Sequence, residues 1–214
     1  MLMNAPSFRL ASLGAVAALL LGACADMERS PSKEQIAMTG QQLVQKVCSQ
    51  CHGITGESGS PGFPKLAGQQ KIYLSLQLAD FKGHQRSDAS GTKYMWGFTH
   101  LSARQIDELS DYFSAQQPMR KSEQAPSPRG AVIFNQGLPD LGVVQCAACH
   151  GDHAQGHDEI PRLAGQHAKY LEQQLSVFKY TDQRPRGATM KAVTHSLSDD
   201  DARAVAQYIA SLGS

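Results

Sequence analysis

Aromatic side chains make up only 7% of the 214 residues, with a single Trp. Neither sign of charge dominates: 20 Lys and Arg against 19 Asp and Glu give a formal charge of +1. That balance excludes a strongly basic surface for neutralising phosphates, so nucleic acid is not an expected partner. Alternating apolar and polar residues over a useful strand length are missing as well, which leaves an all-α class. Long apolar runs are also scarce. Leu10 to Gly22 is the one 13-residue stretch of that character, and it follows a segment carrying a single positive charge, Arg9. It is too short for a spanning helix of roughly 20 residues and reads as the hydrophobic region of a signal peptide. The chain is expected to be exported.

Two cleavage patterns overlap there. Leu21-Gly22-Ala23-Cys24 has the form of a lipobox, with cleavage before a lipidated Cys24, residues 1–23 as signal and 24–36 as a tether. Ala23-Cys24-Ala25 also fits ordinary signal peptidase, which would discard Cys24. A Cys in a signal region favours the lipobox, and a multiply acylated Cys24 would attach the protein to a membrane.

Cysteine is equally sparse, and its placement is informative. Apart from Cys24, the four thiols form two identical motifs, Cys48-Ser-Gln-Cys51-His52 and Cys146-Ala-Ala-Cys149-His150. C-x-x-C-H is the attachment pattern for c-type haem: two thiols bond the porphyrin and the following His sits under the iron. Two disulfides or two redox dithiols would also use four Cys in an exported chain, but neither explains the His after each pair. Zinc would require two more ligands per site. The expected cofactors are two covalently bound c-type haems.

The second half repeats the first at an offset of 95–98 residues. Pro64-Lys-Leu-Ala-Gly-Gln69 matches Pro161-Arg-Leu-Ala-Gly-Gln166, Tyr73-Leu74 matches Tyr170-Leu171, Phe81-Lys82 matches Phe178-Lys179, and Met95 matches Met190. Two copies, each with its own cofactor motif, indicate a duplicated domain rather than a solenoid. Domain 1 is expected over 37–117 and domain 2 over 129–214. Between them, 118–128 has the Pro-rich, polar composition of a linker.

Within each copy the pattern reads helix, haem loop, Gly/Pro loop, helix, long loop, helix. An opening helix is predicted over 34–47 and an irregular segment over 53–68. The next helix, 69–81, aligns Ile72, Leu76 and Ala79 on one stripe, with Tyr73, Leu74, Leu78 and Phe81 beside it. Ser102 with Gln105 predicts a capping box for the last helix of the first copy, and Ser198 a cap for the last helix of the second. Domains of 80–90 residues with so few large apolar side chains are marginal unaided. An attached porphyrin supplies the missing core.

A closed, six-coordinate iron exchanges electrons, whereas an open one can bind and activate ligands. Sixth-ligand candidates need a duplicated position well downstream of the proximal His. Among the methionines only Met95 and Met190 qualify, 43 and 40 residues after His52 and His150, in polar, Gly-containing stretches read as loop. Met sulfur at the sixth position is the electron-carrier pattern. His100 and His195, duplicated five residues further on, are the competitors. His84, His153, His157 and His167 lack counterparts and are expected on the solvated surface. Pro64 and Pro161, 12 and 11 residues after the proximal His, could each present a carbonyl to its Nδ1–H and so raise ligand basicity. Lys and Arg against Asp and Glu number 7 to 6 over 37–117 and 8 to 9 over 129–214, so neither half offers a strongly charged docking face.

The duplicated C-x-x-C-H, the paired Leu-Ala-Gly-Gln segments and the paired Met95 and Met190 resemble the dihaem cytochrome c4 family across about residues 35–213. The resemblance implies two tandem class I cytochrome c domains related by pseudo-twofold symmetry. It also implies axial pairs His52/Met95 and His150/Met190, with thioether anchors at Cys48, Cys51, Cys146 and Cys149. In function it implies a periplasmic electron carrier between a donor complex and a terminal oxidase. The alternatives are a dihaem redox enzyme (a peroxidase or thiosulfate dehydrogenase), which needs an open or labile iron, and a cytochrome subunit of a larger oxidoreductase. Cys24 is the departure from the family pattern.

Overall fold

The computed structural model describes residues 37–98 and 100–213; the signal segment, Cys24 and the whole of the 24–36 tether lie outside the described residues. The described residues are helical, with two isolated antiparallel bridges, Leu138 to Val143 and His157 to Ile160, and no strands.

In the first half, Thr39 caps α1 (Gly40–Leu43) in a capping box with Gln42. The expected opening helix does not end before Cys48. A π-helical turn, Val44–Cys48, carries it directly into α2 (Ser49–His52), and Gly53 at φ 77° ends it. The first Cys-containing motif is therefore helical. Residues 53–70 form no helix, α3 spans Lys71–Lys82, α4 Ala89–Met95 and α5 Ala103–Ser114. The Ser102/Gln105 box caps α5 as predicted, and the Gln105 amide also donates to the Met38 carbonyl at 2.8 Å, tying the first helix to the last. Leu43, Val44, Leu74, Leu101, Leu109 and Phe113 pack as the core of this half.

The second half repeats the arrangement with α6 (Pro128–Gln136), α7 (Ala147–His150), α8 (Ala168–Tyr180), α9 (Ala188–Thr194) and α10 (Asp199–Ala210). Here the opening helix stops ten residues before Cys146. Ser198 caps α10, and Asp199, Asp200 and Asp201 in its first turn favour the helix dipole. The core centres on Ile133, Phe134, Leu171, Leu197, Val205 and Ile209.

Three expectations are corrected by the packing. The stripe Ile72, Leu76, Ala79 is not the buried face of α3. Ile72 is 49% exposed, while Leu74, Gln77, Asp80 and Phe81 are buried. The helix turns polar side chains inward because it faces the other half as well as its own core. Met95 and Met190 lie on two-turn helices rather than in loops; Asp88 caps α4 by accepting from the Gly91 N–H. The segment 118–128 is not a free connector. Met119 is fully buried, the Arg120 carbonyl accepts from Lys65 Nζ at 2.7 Å, and Ser122 N–H bonds the Ala210 carbonyl at 2.8 Å. Ser127 and Pro128 already belong to α6, as its cap and first residue.

The seam between the halves accounts for the repeated Leu-Ala-Gly-Gln. Gln69 donates to the Arg162 carbonyl at 2.9 Å and accepts from the Arg162 N–H at 2.7 Å. Gln166 does the same to Lys65, at 2.9 Å in both directions. Each glutamine amide thus pairs with both backbone groups of one residue of the other half, with pseudo-twofold symmetry. The glycine before each glutamine has positive φ (62° at Gly68, 79° at Gly165), where a Cβ would strike the backbone of Pro118 or Met119.

Candidate haem sites

His52 ends α2 and His150 ends α7, each only 7–8% exposed. His52 Nδ1 lies 2.8 Å from the Pro64 carbonyl, and His150 Nδ1 lies 3.1 Å from the Pro161 carbonyl. A carbonyl can only accept, so each Nδ1 carries the proton, and in the neutral ring Nε2 keeps its lone pair. Burial holds both imidazoles below their ordinary pKa. The proline carbonyls work the other way and are outweighed, and His157 adds a small push in the same direction as burial at His150. Two buried, neutral imidazoles, each with a fixed tautomer and one free nitrogen, form the donor set that an iron porphyrin takes on its proximal side.

No disulfide joins the four motif cysteines. Burial pushes the Cys48 thiol up to about 12 and the Cys146 thiol up to about 11. A reactive thiolate is favoured by a thiol held below its usual range, and neither Cys48 nor Cys146 is so held. Cys48 packs against the core of its half and Cys146 against the core of the other, one turn from the histidines. Among the described residues, no three His, Cys, Asp or Glu side chains gather into a metal cage.

Met95 and Met190 are both half-buried, on the helix before the last in each half, but Met95 is the final residue of α4 whereas Met190 lies in the first turn of α9. Aromatic rings lie between the two elements of the first half: the His52 ring is 6.3 Å from Phe63, which is 5.1 Å from Tyr94, the residue before Met95 in the chain. The histidine competitors are not equivalent to each other. His100 has both ring nitrogens shielded from solvent without a well-formed hydrogen bond, whereas His195 is exposed with Nδ1 2.7 Å from the Ala192 carbonyl.

The unpaired histidines divide. His84, His153 and His157 are exposed, with His84 tilted over Trp96 at 4.4 Å. His167 is not a surface residue of its own half. Its Nε2 meets the Ser58 carbonyl of the other half at 2.9 Å, and burial, reinforced by nearby Lys65, lowers its pKa. Sequence reasoning also missed Gln69 and Gln166 as seam residues; their repetition was the available signal.

Family comparison matches Cytochrome c twice, over residues 37–117 and 127–213. Cytochrome c-552 of Acidithiobacillus ferridurans is 38% identical over 174 residues, covering 79% of this chain and 75% of the relative. Cytochrome c4 of Stutzerimonas stutzeri is 36% identical over 187 residues, covering 82% and 89%. The crystal structure of reduced recombinant cytochrome c4 from Pseudomonas stutzeri superposes with a TM-score of 0.72 at 34% identity, covering 80% of this chain and 96% of that one. The chain therefore belongs to the cytochrome c family, as a dihaem protein of the cytochrome c4 type that carries two covalently bound c-type haems.

Proposed function

We propose that this protein is a periplasmic electron carrier that passes electrons to a terminal oxidase and makes or breaks no bond in a substrate. When bound, each haem supplies one reversible Fe(III)/Fe(II) couple. Cys48 and Cys51 in the first half, and Cys146 and Cys149 in the second, hold the porphyrins as thioethers. His52 and His150 are the proximal ligands. The Pro64 and Pro161 carbonyls keep each ring oriented and its Nε2 basic. Met95 and Met190 close the distal sides. The observation that carries this reading is the duplicated buried imidazole, with Nδ1 held by a proline carbonyl and Nε2 left for iron.

Methionine is favoured over histidine on the distal side because a duplicated ligand should occupy duplicated surroundings. Met95 and Met190 are alike in being half-buried, whereas His100 has both ring nitrogens shielded and His195 is exposed. Export rests on the apolar run before Gly22, and membrane attachment on lipidated Cys24, both from the sequence. The oxidase as acceptor rests on the family resemblance.

Replacing Met190 with Ala tests the site. One of the two irons should then bind cyanide or CO, and its potential should fall. Unchanged ligand binding and potential would overturn the assignment. The carrier role is tested by mixing reduced wild-type protein with oxidase-containing membranes. Rapid oxidation with negligible peroxide turnover is expected; substantial peroxide reduction would point to an enzyme.

A further inference from the structure

Phe81-Lys82 and Phe178-Lys179 stand at the same place in both halves, in the last turn of the helix that precedes the methionine-bearing one. Their surroundings are duplicated too. Lys82 Nζ donates to the Leu101 carbonyl at 2.6 Å, and Lys179 Nζ donates to the Leu197 carbonyl at 2.6 Å. Each leucine is buried in the core of its half and directly precedes the serine that caps the last helix. The phenylalanines meet the other end of the methionine-bearing segment. A Cβ on Gly91 would come within 2.9 Å of the Phe81 ring, and one on Gly187 would run into the Phe178 ring, so glycine there lets each ring close over the backbone. These glycines also correspond in the repeat, four residues before Met95 and three before Met190.

One dipeptide thus holds the chain on both sides of each methionine. In the second half, hydrogen bonds lead residue by residue from Met190 to Lys179. The Met190 carbonyl accepts from the Thr194 hydroxyl at 2.8 Å, the Thr194 carbonyl from the Leu197 N–H at 3.0 Å, and the Leu197 carbonyl from Lys179. Thr194 is itself buried. In the first half the Leu101 N–H bonds the carbonyl of Phe98, three residues beyond Met95, at 3.3 Å. The two lysines otherwise differ. Lys179 lies 3.6 Å from Asp199 and 4.8 Å from the centre of the Tyr180 ring, whereas Lys82 is exposed. What they share is the leucine carbonyl.

We propose that Lys82 and Lys179 are positioning residues for the distal ligands: each ammonium ties the chain beyond its methionine to the helix before it and so keeps the thioether at the iron. The inference rests on Met95 and Met190 as the sixth ligands. A thioether is a neutral, weak ligand, so its occupancy depends on the local concentration at which the chain presents it. A hydrogen bond from a charged donor is among the stronger ones available for fixing that chain.

The test measures cyanide affinity and the long-wavelength methionine-to-iron absorption band of the oxidised holoprotein in Lys82→Leu, Lys179→Leu and Lys179→Arg variants. Leu keeps an apolar stem and removes the donor. Lys179→Leu should weaken the band and raise cyanide affinity about tenfold at one haem, the same one that Met190→Ala opens, and leave the other unchanged. Lys82→Leu should do the same at the other haem. Loss of a positive charge by itself disfavours an anion at the iron, so a gain in cyanide affinity reports release of the methionine. Lys179→Arg, which keeps a cationic donor, should lie nearer to wild type than Lys179→Leu. Added to Met190→Ala, Lys179→Leu should bring no further gain, because the ligand it holds is already gone. Fully haemylated Lys82→Leu and Lys179→Leu proteins with intact bands and cyanide affinities within twofold of wild type would overturn the proposal even if Tm falls, since the lysines would then support only the fold. An equal gain in the Met190→Ala background would overturn it as well. Failure of the ligand assignment itself would be seen separately, as wild-type protein without the band.

Discussion

Truncating Gln69 to Ala separates the two halves with the least disturbance to either core. The side chain is 5% exposed and makes two bonds to the backbone of one residue of the other half, 2.9 Å to the Arg162 carbonyl and 2.7 Å from the Arg162 N–H. Alanine leaves both backbone groups unpaired, and each such group costs about 1–3 kcal/mol when buried. Arg162 is only half-buried, so water recovers part of this, and the expected loss is about 2–3 kcal/mol. For a protein of this size that corresponds to a Tm lowered by about 4–12 °C. Urea unfolding of the holoprotein, followed by far-UV circular dichroism, measures the loss. Gln166→Ala should match it, because Gln166 makes the symmetric pair of bonds to Lys65 at 2.9 Å. If the seam opens as one unit, the double variant should cost less than the sum of the singles. Gln69→Glu sharpens the test, since it retains an acceptor but turns an oxygen toward the Arg162 carbonyl, and should be at least as damaging as Ala. A Gln69→Ala protein within about 0.5 kcal/mol of wild type, the range of an ordinary surface change, would refute the clamp.

Two further outcomes follow from the seam. Gly165→Ala forces a Cβ against the Met119 carbonyl at φ 79°, and the strain of such a backbone is about 1–3 kcal/mol before the clash is added; lower thermal stability with unaltered haem content checks it. Asp88 has its pKa depressed in the folded state, so its contribution is present above the unfolded value of about 3.9 and is lost as pH falls through the folded value. Wild-type and Asp88→Asn proteins should therefore differ in stability at neutral pH and converge in acid, as read by urea unfolding across pH.

Glu57 and Lys65 show how far the boundary depends on partners remote in the chain. Their 2.5 Å ion pair is nearly buried, and Lys65 also reaches the Arg120 carbonyl in the connector, 55 residues away. The Pro-rich composition of 118–128 looks like free linker because periodicity registers apolar faces, and this segment is held instead by backbone bonds and one buried methionine. The same blindness misassigned α3. Gln77 and Asp80 carry no apolar signal, yet both are buried because Arg86, Arg184 and Arg186 meet them. His167, with no counterpart in the other copy, was likewise legible only as surface.

What the sequence by itself determined is local or periodic. The thiols and histidine that attach a porphyrin sit within one turn of chain, the caps at Ser102 and Ser198 act on residues three positions on, and the duplication is visible as an offset. Pro64 and Pro161 could be linked to the histidines because the spacing is short and the need for an acceptor at Nδ1 is chemical. Only the tertiary structure decided the use of Gln69, Gln166, Arg86 and Arg184, whose decisive partners lie 88–107 residues away in the other half. Polar groups buried in mutual pairs leave no hydrophobic signature, so the joining of two haem domains into one body becomes visible only when the halves are brought together.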